Sequence, residues 1–456
     1  MKNKKNAARL LAIGATISMA APLAAQDLGR PQGSLTITQD LRWSDNIGFN
    51  SDEESGFTAS TGLQFTTGFG TRSEQFSLSI GTAVDTDFDG EDAEFDRPAI
   101  DLAYSRTNGN ASIGATLAFR ESDVSTLTGL ALDQETGTIF LIADEGIRRD
   151  VRLGLSGEFG QDAPFGGSFQ YIRSETSYRE TNDPDLENVT RDSLTGSLGF
   201  QINPGVRLTT GAEYSRSNAD GDGTDTIRRG VNIGADFAIS PALTAGLSLG
   251  YDEVETTTGA AGNRTTSVSD GFGLTANASL DLPNGSLSGR VSSRLGDNGR
   301  VSSLNISRNF DLKSGPVALS FGLTESEDGG LEPLYGVNYT HALKRGQLGV
   351  SLRQSYASNA EGDEAINSLV SVSYAEQLTP NTGLDASVSY GNTNALAGTI
   401  EDASRIDATV ALNHALTRDW SLRGGYTYSQ SEDDNNDTVS SNSVFVGIGR
   451  TFNWRY

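Results

Sequence analysis

The chain has no cysteine among its 456 residues, which excludes disulfides, thiolate nucleophiles and cysteine-based metal centres. Its two methionines, Met1 and Met19, fall within the first 25 residues, so the remainder has none. Beyond that segment no stretch approaches 18 consecutive apolar residues, and no membrane-spanning helix is expected. Positive charge is scarce: 34 Lys and Arg stand against 59 Asp and Glu, a formal charge of −25. A chain with this balance is a poor partner for nucleic acid or for an anionic membrane surface. No linker, Pro-rich segment or shift of composition marks a boundary between domains.

The N-terminal segment has its own pattern. A basic start (Lys2, Lys4, Lys5, Arg9) precedes an apolar run from Leu10 to Met19 and a small-residue stretch, Ala20 to Ala25. This is the layout of a secretory signal peptide cleaved after Ala25, and the run is too short to anchor in a bilayer. Residues 1–25 are therefore set aside, 26–33 read as a short leading segment, and 34–456 as one domain. Loss of the four basic residues makes the mature chain still more acidic.

What fills that domain is a repeated turn grammar. Short turns recur as Asn203-Pro204-Gly205, Ser240-Pro241-Ala242, Pro283-Asn284-Gly285, Lys313-Ser314-Gly315, Lys344-Arg345-Gly346, Thr379-Pro380-Asn381 and Thr417-Arg418-Asp419. These residues are hairpin chemistry, and each turn is followed by a run of period two. From Pro204 to Tyr214, Pro241 to Tyr251, Gly346 to Tyr356, Pro380 to Tyr390 and Arg418 to Tyr428 the spacing is always 10 residues. Tilted by about 45°, such a run climbs roughly 23 Å, the height of a membrane's apolar band with an aromatic girdle at its far edge. A β-sandwich would alternate too, but gives no reason for a tyrosine at this spacing.

Between the tight turns lie longer, acidic, Ser/Thr/Asn/Gly-rich connections, including 44–55, 85–96, 121–147 and 173–190. Short turns on one side and long loops on the other fit a transmembrane barrel with both termini at the short-turn, periplasmic side. The alternating runs number 22, from 34–43 to 442–456. Residues 126–132 and 138–143 form a further hairpin pattern, each half too short to span. It reads as a structured loop, with folding into the lumen as one option and an extra spanning pair, giving 24 strands, as the other.

The last 14 residues, Ser443 to Tyr456, are the most specific. Val444, Val446, Ile448, Phe452, Trp454 and Tyr456 share one parity, interrupted only by Arg450, which is expected to snorkel or to mark a bulge. With its terminal aromatic preceded by alternating apolar positions, this segment resembles the last strand of the Gram-negative outer-membrane β-barrel family. The resemblance implies an all-β, up-and-down antiparallel barrel in the outer membrane. It also implies that Phe452, Trp454 and Tyr456 form the signal read by the barrel assembly machinery. Members of the porin-like branch often form trimers; nothing in the sequence marks an interface, so a homo-oligomer stays open.

Candidate chemistry is sparse. His341 and His414 lie in matching contexts just before expected periplasmic turns, without a Ser/Asp constellation nearby, and read as interfacial side chains; the chain is not expected to be an enzyme. Asp85, Asp87 and Asp89, with Gly90 and Asp96, follow calcium-loop spacing, although position twelve is Asp rather than Glu and strands flank the loop. A Ca²⁺ ion is thus a candidate ligand there, the alternative being one more acidic loop; no other cofactor is required. On the polar parity stand Arg207, Glu213, Asp236, Asp281, Arg290, Arg294, Arg353, Asp385, Asp407 and Arg423, the pore-lining candidates. They either form opposed rings across a pore or pair along its wall. The expected function is a passive, cation-preferring channel for small hydrophilic solutes in outer-membrane lipid. The alternatives are an export conduit for a polysaccharide or other cell product, and a structural or adhesive surface barrel.

Overall fold

Period-two runs bounded by Gly, Pro, Asn and Asp leave each segment one partner it can reach cheaply, the next run in the chain. The computed structural model describes residues 31–455 except 48, 50–53, 88–93, 124–130, 133–138, 141–145, 162, 182–186, 221–223, 260–262, 297–298, 359–363, 399–401 and 433–437. In it 22 strands, from Gln32–Ser44 to Thr438–Arg455, form one antiparallel sheet in which successive strands pair in order. The ring closes where the first strand pairs the last, from Gln32↔Arg455 to Ser44↔Ser443 without a register shift. All 22 expected runs are strands, most of them a few residues longer than the alternation alone indicates. The fold is a closed, all-β, up-and-down barrel. Both ends of the described chain lie at the short-turn rim. The signal peptide and Tyr456 lie outside the described residues.

The doubtful hairpin is settled in favour of 22. Ala131–Leu132 and Ile139–Phe140 pair only with each other, in a separate two-stranded sheet. Four residues cannot span a hydrocarbon layer that needs about 9–11 per strand. Its second strand comes within 8 Å, Cα to Cα, of Thr382–Ala397. That strand is far around the ring from the strands Ala111–Asp123 and Ile147–Phe159, which carry the hairpin. The paired segments therefore reach across the ring to that strand.

The tight turns carry the geometry their residues permit. Gly285 and Gly315 close the Pro283-Asn284 and Lys313-Ser314 turns with φ of 126° and 134°, where an L side chain is strained. Along each strand one parity is exposed and apolar: Ile37, Leu41 and Trp43 in the first strand stand beside Val446 and Val444 in the last. This outward set continues around the ring through Leu198, Ile233, Leu249, Leu274, Val291, Ile306, Leu319, Val388 and Val410. In water so much exposed apolar surface would drive aggregation; against lipid it is the favourable arrangement. Tyr214, Tyr251 and Tyr390 face outward near the long-loop end, as their spacing requires. At the opposite rim Trp454 stacks on Phe65, ring centroids 5.9 Å apart. Arg450 makes no bulge: it keeps register with Ile37 and Trp420 and lies over the rings of Trp420 and Phe452, at 5.2 and 4.3 Å. Cation–π contact is what allows a guanidinium on the lipid-facing parity.

The seam between the termini is held on its inner face as well. Arg423, one strand before the last, reaches across Gly447 to Asp40 in the first strand, with Nε–Oδ1 at 2.9 Å and Nη2–Oδ2 at 2.6 Å. A Cβ at position 447 would collide with the Asp40 carboxylate, so the glycine leaves the path open. Gly447→Ala should therefore disrupt this clasp, lowering the temperature at which the barrel loses its compact gel migration. Because Arg423 is half exposed, the loss should be at most about 1 kcal/mol, and Gly447→Ala should add little to Arg423→Gln.

Candidate functional site: the inner wall

Facing away from lipid, the second parity must provide whatever the barrel does. All ten pore-lining candidates fall on it. Arg207 and Asp236 face each other in register, as do Gly230 with Glu213 and with Asp252, while Asp281 sits opposite Ser286 and Arg290 opposite Asn277. Arg353 is paired with Gly336, and Asp385 with Ala411. The wall's inward basic residues are all arginine, since Lys313 and Lys344 are in periplasmic turns.

Part of the charge on this wall is paired locally. Arg423 pairs Asp40, as above, and Arg405 pairs Asp407 two residues away, Nε–Oδ2 3.0 Å. Ser429 Oγ donates to Asp407 Oδ1 at 2.8 Å, and the Arg405 guanidinium lies 4.9 Å from the ring of Phe49, in the first long connection. Arg148 and Asp150 repeat the Arg-x-Asp arrangement at 2.9 Å, and Arg120 meets Asp101. Asp385 accepts a hydrogen bond from Asn413 Nδ2 at 2.7 Å. Of the pore-lining candidates, Asp385, Asp407 and Arg423 thus have a partner along the wall. The Arg-x-Asp spacing was a readable signal for Arg405 and Arg148, since residues two apart share a face. The partnership of Arg423 with Asp40, 383 residues apart, carries no local signal.

The remaining candidates differ. Arg207, Glu213, Asp236, Asp281, Arg290, Arg294 and Arg353 make no ion pair among the described residues. Three carboxylates, Glu213, Asp236 and Asp252, stand on neighbouring strands whose other inward positions include Gly211, Gly230, Gly234, Gly246 and Gly250. A Cβ on Gly230 would come within 2.6 Å of Asp252 Oδ1 and 3.0 Å of Glu213 Oε1, so both acids lean over a glycine floor. The result is a low-profile acidic strip. Arg207, one end of a cavity of about 170 Å³ with Ser168, Ser197 and Thr209, lies across Gly199. A larger recess of about 560 Å³ lies at the periplasmic rim, between Gln347, Gln377, Asp385 and Asn413.

The long-loop half of the wall between Gly315–Ser326 and Gln32–Ser44 is packed. Thr324, Ser326, Asn367, Thr393, Arg405 and Ser443 are buried there, as are Phe49 and Asn46 of the first connection. Asn46 Nδ2 donates to the carbonyl of Ser440 at 3.1 Å, tying that connection to the last strand. Glu364 is fully buried and accepts a hydrogen bond from Ser326 Oγ at 2.5 Å.

For the calcium spacing, Asp85 is strand rather than loop, and its carboxylate is held by Arg97. The side chains of Asp87, Asp89 and Asp96 lie outside the described residues. The described residues hold no group of three or more potential metal ligands. Both histidines sit on the outward face at the periplasmic end: His341 Nδ1 is 2.6 Å from the Tyr339 hydroxyl, and His414 Nδ1 is 2.9 Å from Thr382 Oγ1. Among the described residues neither meets a carboxylate within hydrogen-bonding distance.

No protein-family model matches the sequence, and no curated protein matches it. Solved structures do. The FrpB iron transporter from Neisseria meningitidis is similar with a TM-score of 0.58 at 11% identity, over 93% of this chain and 81% of that one. The ferric-catecholate import receptor Fiu from E. coli K12 gives 0.56 at 10% identity, over 94% and 82%. A mutant of the ferric enterobactin receptor PfeA from Pseudomonas aeruginosa gives 0.53 at 11%, over 92% and 80%. The shared feature is the fold, that of a Gram-negative outer-membrane β-barrel.

The wall pairs lend themselves to measurement. With Arg405 4% and Asp407 14% exposed, Asp407→Ala leaves a buried guanidinium without its counter-charge. The expected cost is about 3 kcal/mol, read as a lower denaturant midpoint, whereas the double variant Arg405→Met with Asp407→Leu should recover much of it.

Proposed function

We propose that the chain forms a passive, cation-preferring outer-membrane channel for small hydrophilic solutes. The observation that carries this reading is the inner wall, polar and glycine-paved around Glu213, Asp236 and Asp252. Among the described residues every strand except the short crossing hairpin belongs to the wall, and none forms a plug. A 22-strand ring is wide, so small solutes would pass where loops leave a path. Unpaired carboxylates on a low wall attract cations and repel anions over a Debye length. The paired segments Ala131–Leu132 and Ile139–Phe140, with Asn46 and Phe49 of the first connection, would narrow the extracellular mouth and set the size of solute admitted.

A second reading is supported by the fold's company. The similar structures are named as iron transporters and import receptors, so a more selective uptake role, with the crossing hairpin as a substrate-dependent gate, is the alternative. An export conduit for a polysaccharide or other cell product has weaker support. The periplasmic recess, with its Gln, Asn and Asp lining, is the feature that suits it. A calcium site would require an ion to compete with Arg97 for Asp85.

Planar-bilayer recording separates these readings. The channel reading predicts stable conductance with cation preference. That preference should fall in the triple variant Glu213→Gln, Asp236→Asn, Asp252→Asn, while conductance should rise when residues 126–143 are deleted. No conductance in either protein would overturn it, and conductance only after the deletion would favour the gated alternative.

A further inference from the structure

The outer face, just above the aromatic girdle, carries carboxylate-held arginines on one sector only among the described residues. Arg149, Arg173, Arg179, Arg216 and Arg229 all lie on the outward parity at the long-loop ends of their strands, in the run from Ile147–Phe159 to Asp225–Ala238. Each is held by a carboxylate. Glu121 binds Arg149 and Arg179 at 2.7 and 2.9 Å, Asp192 binds Arg173 at 2.9 Å, Asp225 binds Arg216 at 2.7 Å, and Glu253 binds Arg229 at 2.7 Å with Glu255 at 3.5 Å. The outward extracellular ends of the strands from Gly315–Ser326 to Thr438–Arg455 bear no arginine. They carry Gln354, Ser368, Asn392, Gln430 and Asn442 instead.

These pairs are not closed off. The arginine side chains are 37–50% exposed, whereas Glu121, Asp192 and Asp225 beneath them are 15%, 29% and 17% exposed. Each guanidinium spends at most two of its five N–H donors on these carboxylates, and so presents at least three. Directly below stand Tyr171, Tyr214 and Tyr251, the first and last donating their hydroxyls to Asp192 and Asp270 at 2.7 Å. The carboxylates therefore hold the guanidinium planes at the depth where lipid headgroups begin.

We propose that this sector is a docking surface for the phosphorylated headgroup of an outer-leaflet lipid. Guanidinium forks match phosphate oxygens bidentately, and a row of them on neighbouring strands fits a headgroup with two phosphates. The paired arrangement lets the site form in a chain of strong net negative charge, because each cation is held by a carboxylate. Glu175 and Asp270 share the outward face, so the belt has no net positive field, and recognition rests on hydrogen-bond geometry. This proposal depends on the orientation of the barrel and is independent of whether it conducts.

The test uses the purified full chain in neutral-detergent micelles, titrated with lipid A, a diphosphorylated glucosamine-disaccharide lipid, with EDTA present. The proposal predicts saturable binding and a raised unfolding temperature. Affinity should fall about tenfold or more in the triple variant Arg173→Gln, Arg216→Gln, Arg229→Gln. It should be unchanged in Arg308→Gln, an outward arginine at the periplasmic rim. Compact migration on unboiled gels checks that each variant folds. Equal binding of dephosphorylated lipid A, binding that needs added Mg²⁺, or competition by millimolar inorganic phosphate with no gain from the lipid would each overturn it. So would a triple variant that binds normally but changes its oligomeric mass, because the belt would then be a contact between copies.

Discussion

Everything in this molecule depends on one constraint: a backbone N–H or C=O within hydrocarbon has no water to bond and must find its partner in the protein. A strand can meet that demand only if both its edges are paired, and a sheet of strands only if it closes. The pairing of Gln32–Ser44 with Thr438–Arg455 is therefore the step that makes the other pairings tolerable in a bilayer. The Arg423–Asp40 clasp over Gly447 sits on that seam, where residues from opposite ends of the chain meet only once the ring is complete.

Closure fixes two surfaces with different solvents, and the chain writes them on alternate residues. The outward set is apolar through the membrane and changes at each rim to aromatic residues with a polar contact, as in Tyr251 with Asp270 or Tyr339 with His341. Inward positions are free of the need to bury anything, which is why glycine, serine and threonine predominate among them. On that low surface a few charges dominate. Where Arg and Asp share a strand face they neutralise each other, as at Arg405–Asp407; where acids stand among glycines, as at Glu213 and Asp252, their field reaches the lumen.

The strands were legible because alternation and turn chemistry agreed at every step from Asn203-Pro204-Gly205 onward. The inward parity of the pore-lining residues followed from the same period. The hairpin runs at 126–132 and 138–143 read as a loop because each is too short to span, with an extra spanning pair as the alternative, and their pairing in a sheet separate from the wall bears out the loop. The company each charge keeps was not legible, because partners such as Asp40 and Arg423 are set by ring closure. Arg450 shows the limit of parity reading. It breaks the apolar pattern without breaking the strand, since Trp420 and Phe452 supply a place for its charge that the sequence alone does not reveal.

The central claim is that alternate residues of one strand face different solvents, and the lack of native cysteine makes it directly measurable. Single substitutions Val444→Cys, Val446→Cys and Ile448→Cys on one parity, and Ser443→Cys, Gly449→Cys and Thr451→Cys on the other, would be placed in liposome-reconstituted protein. Each would then be treated with a membrane-impermeant maleimide. The account predicts that the membrane-embedded even positions stay unlabelled until detergent is added, while Gly449→Cys and Thr451→Cys react from the lumen. Equal labelling of both parities would contradict it.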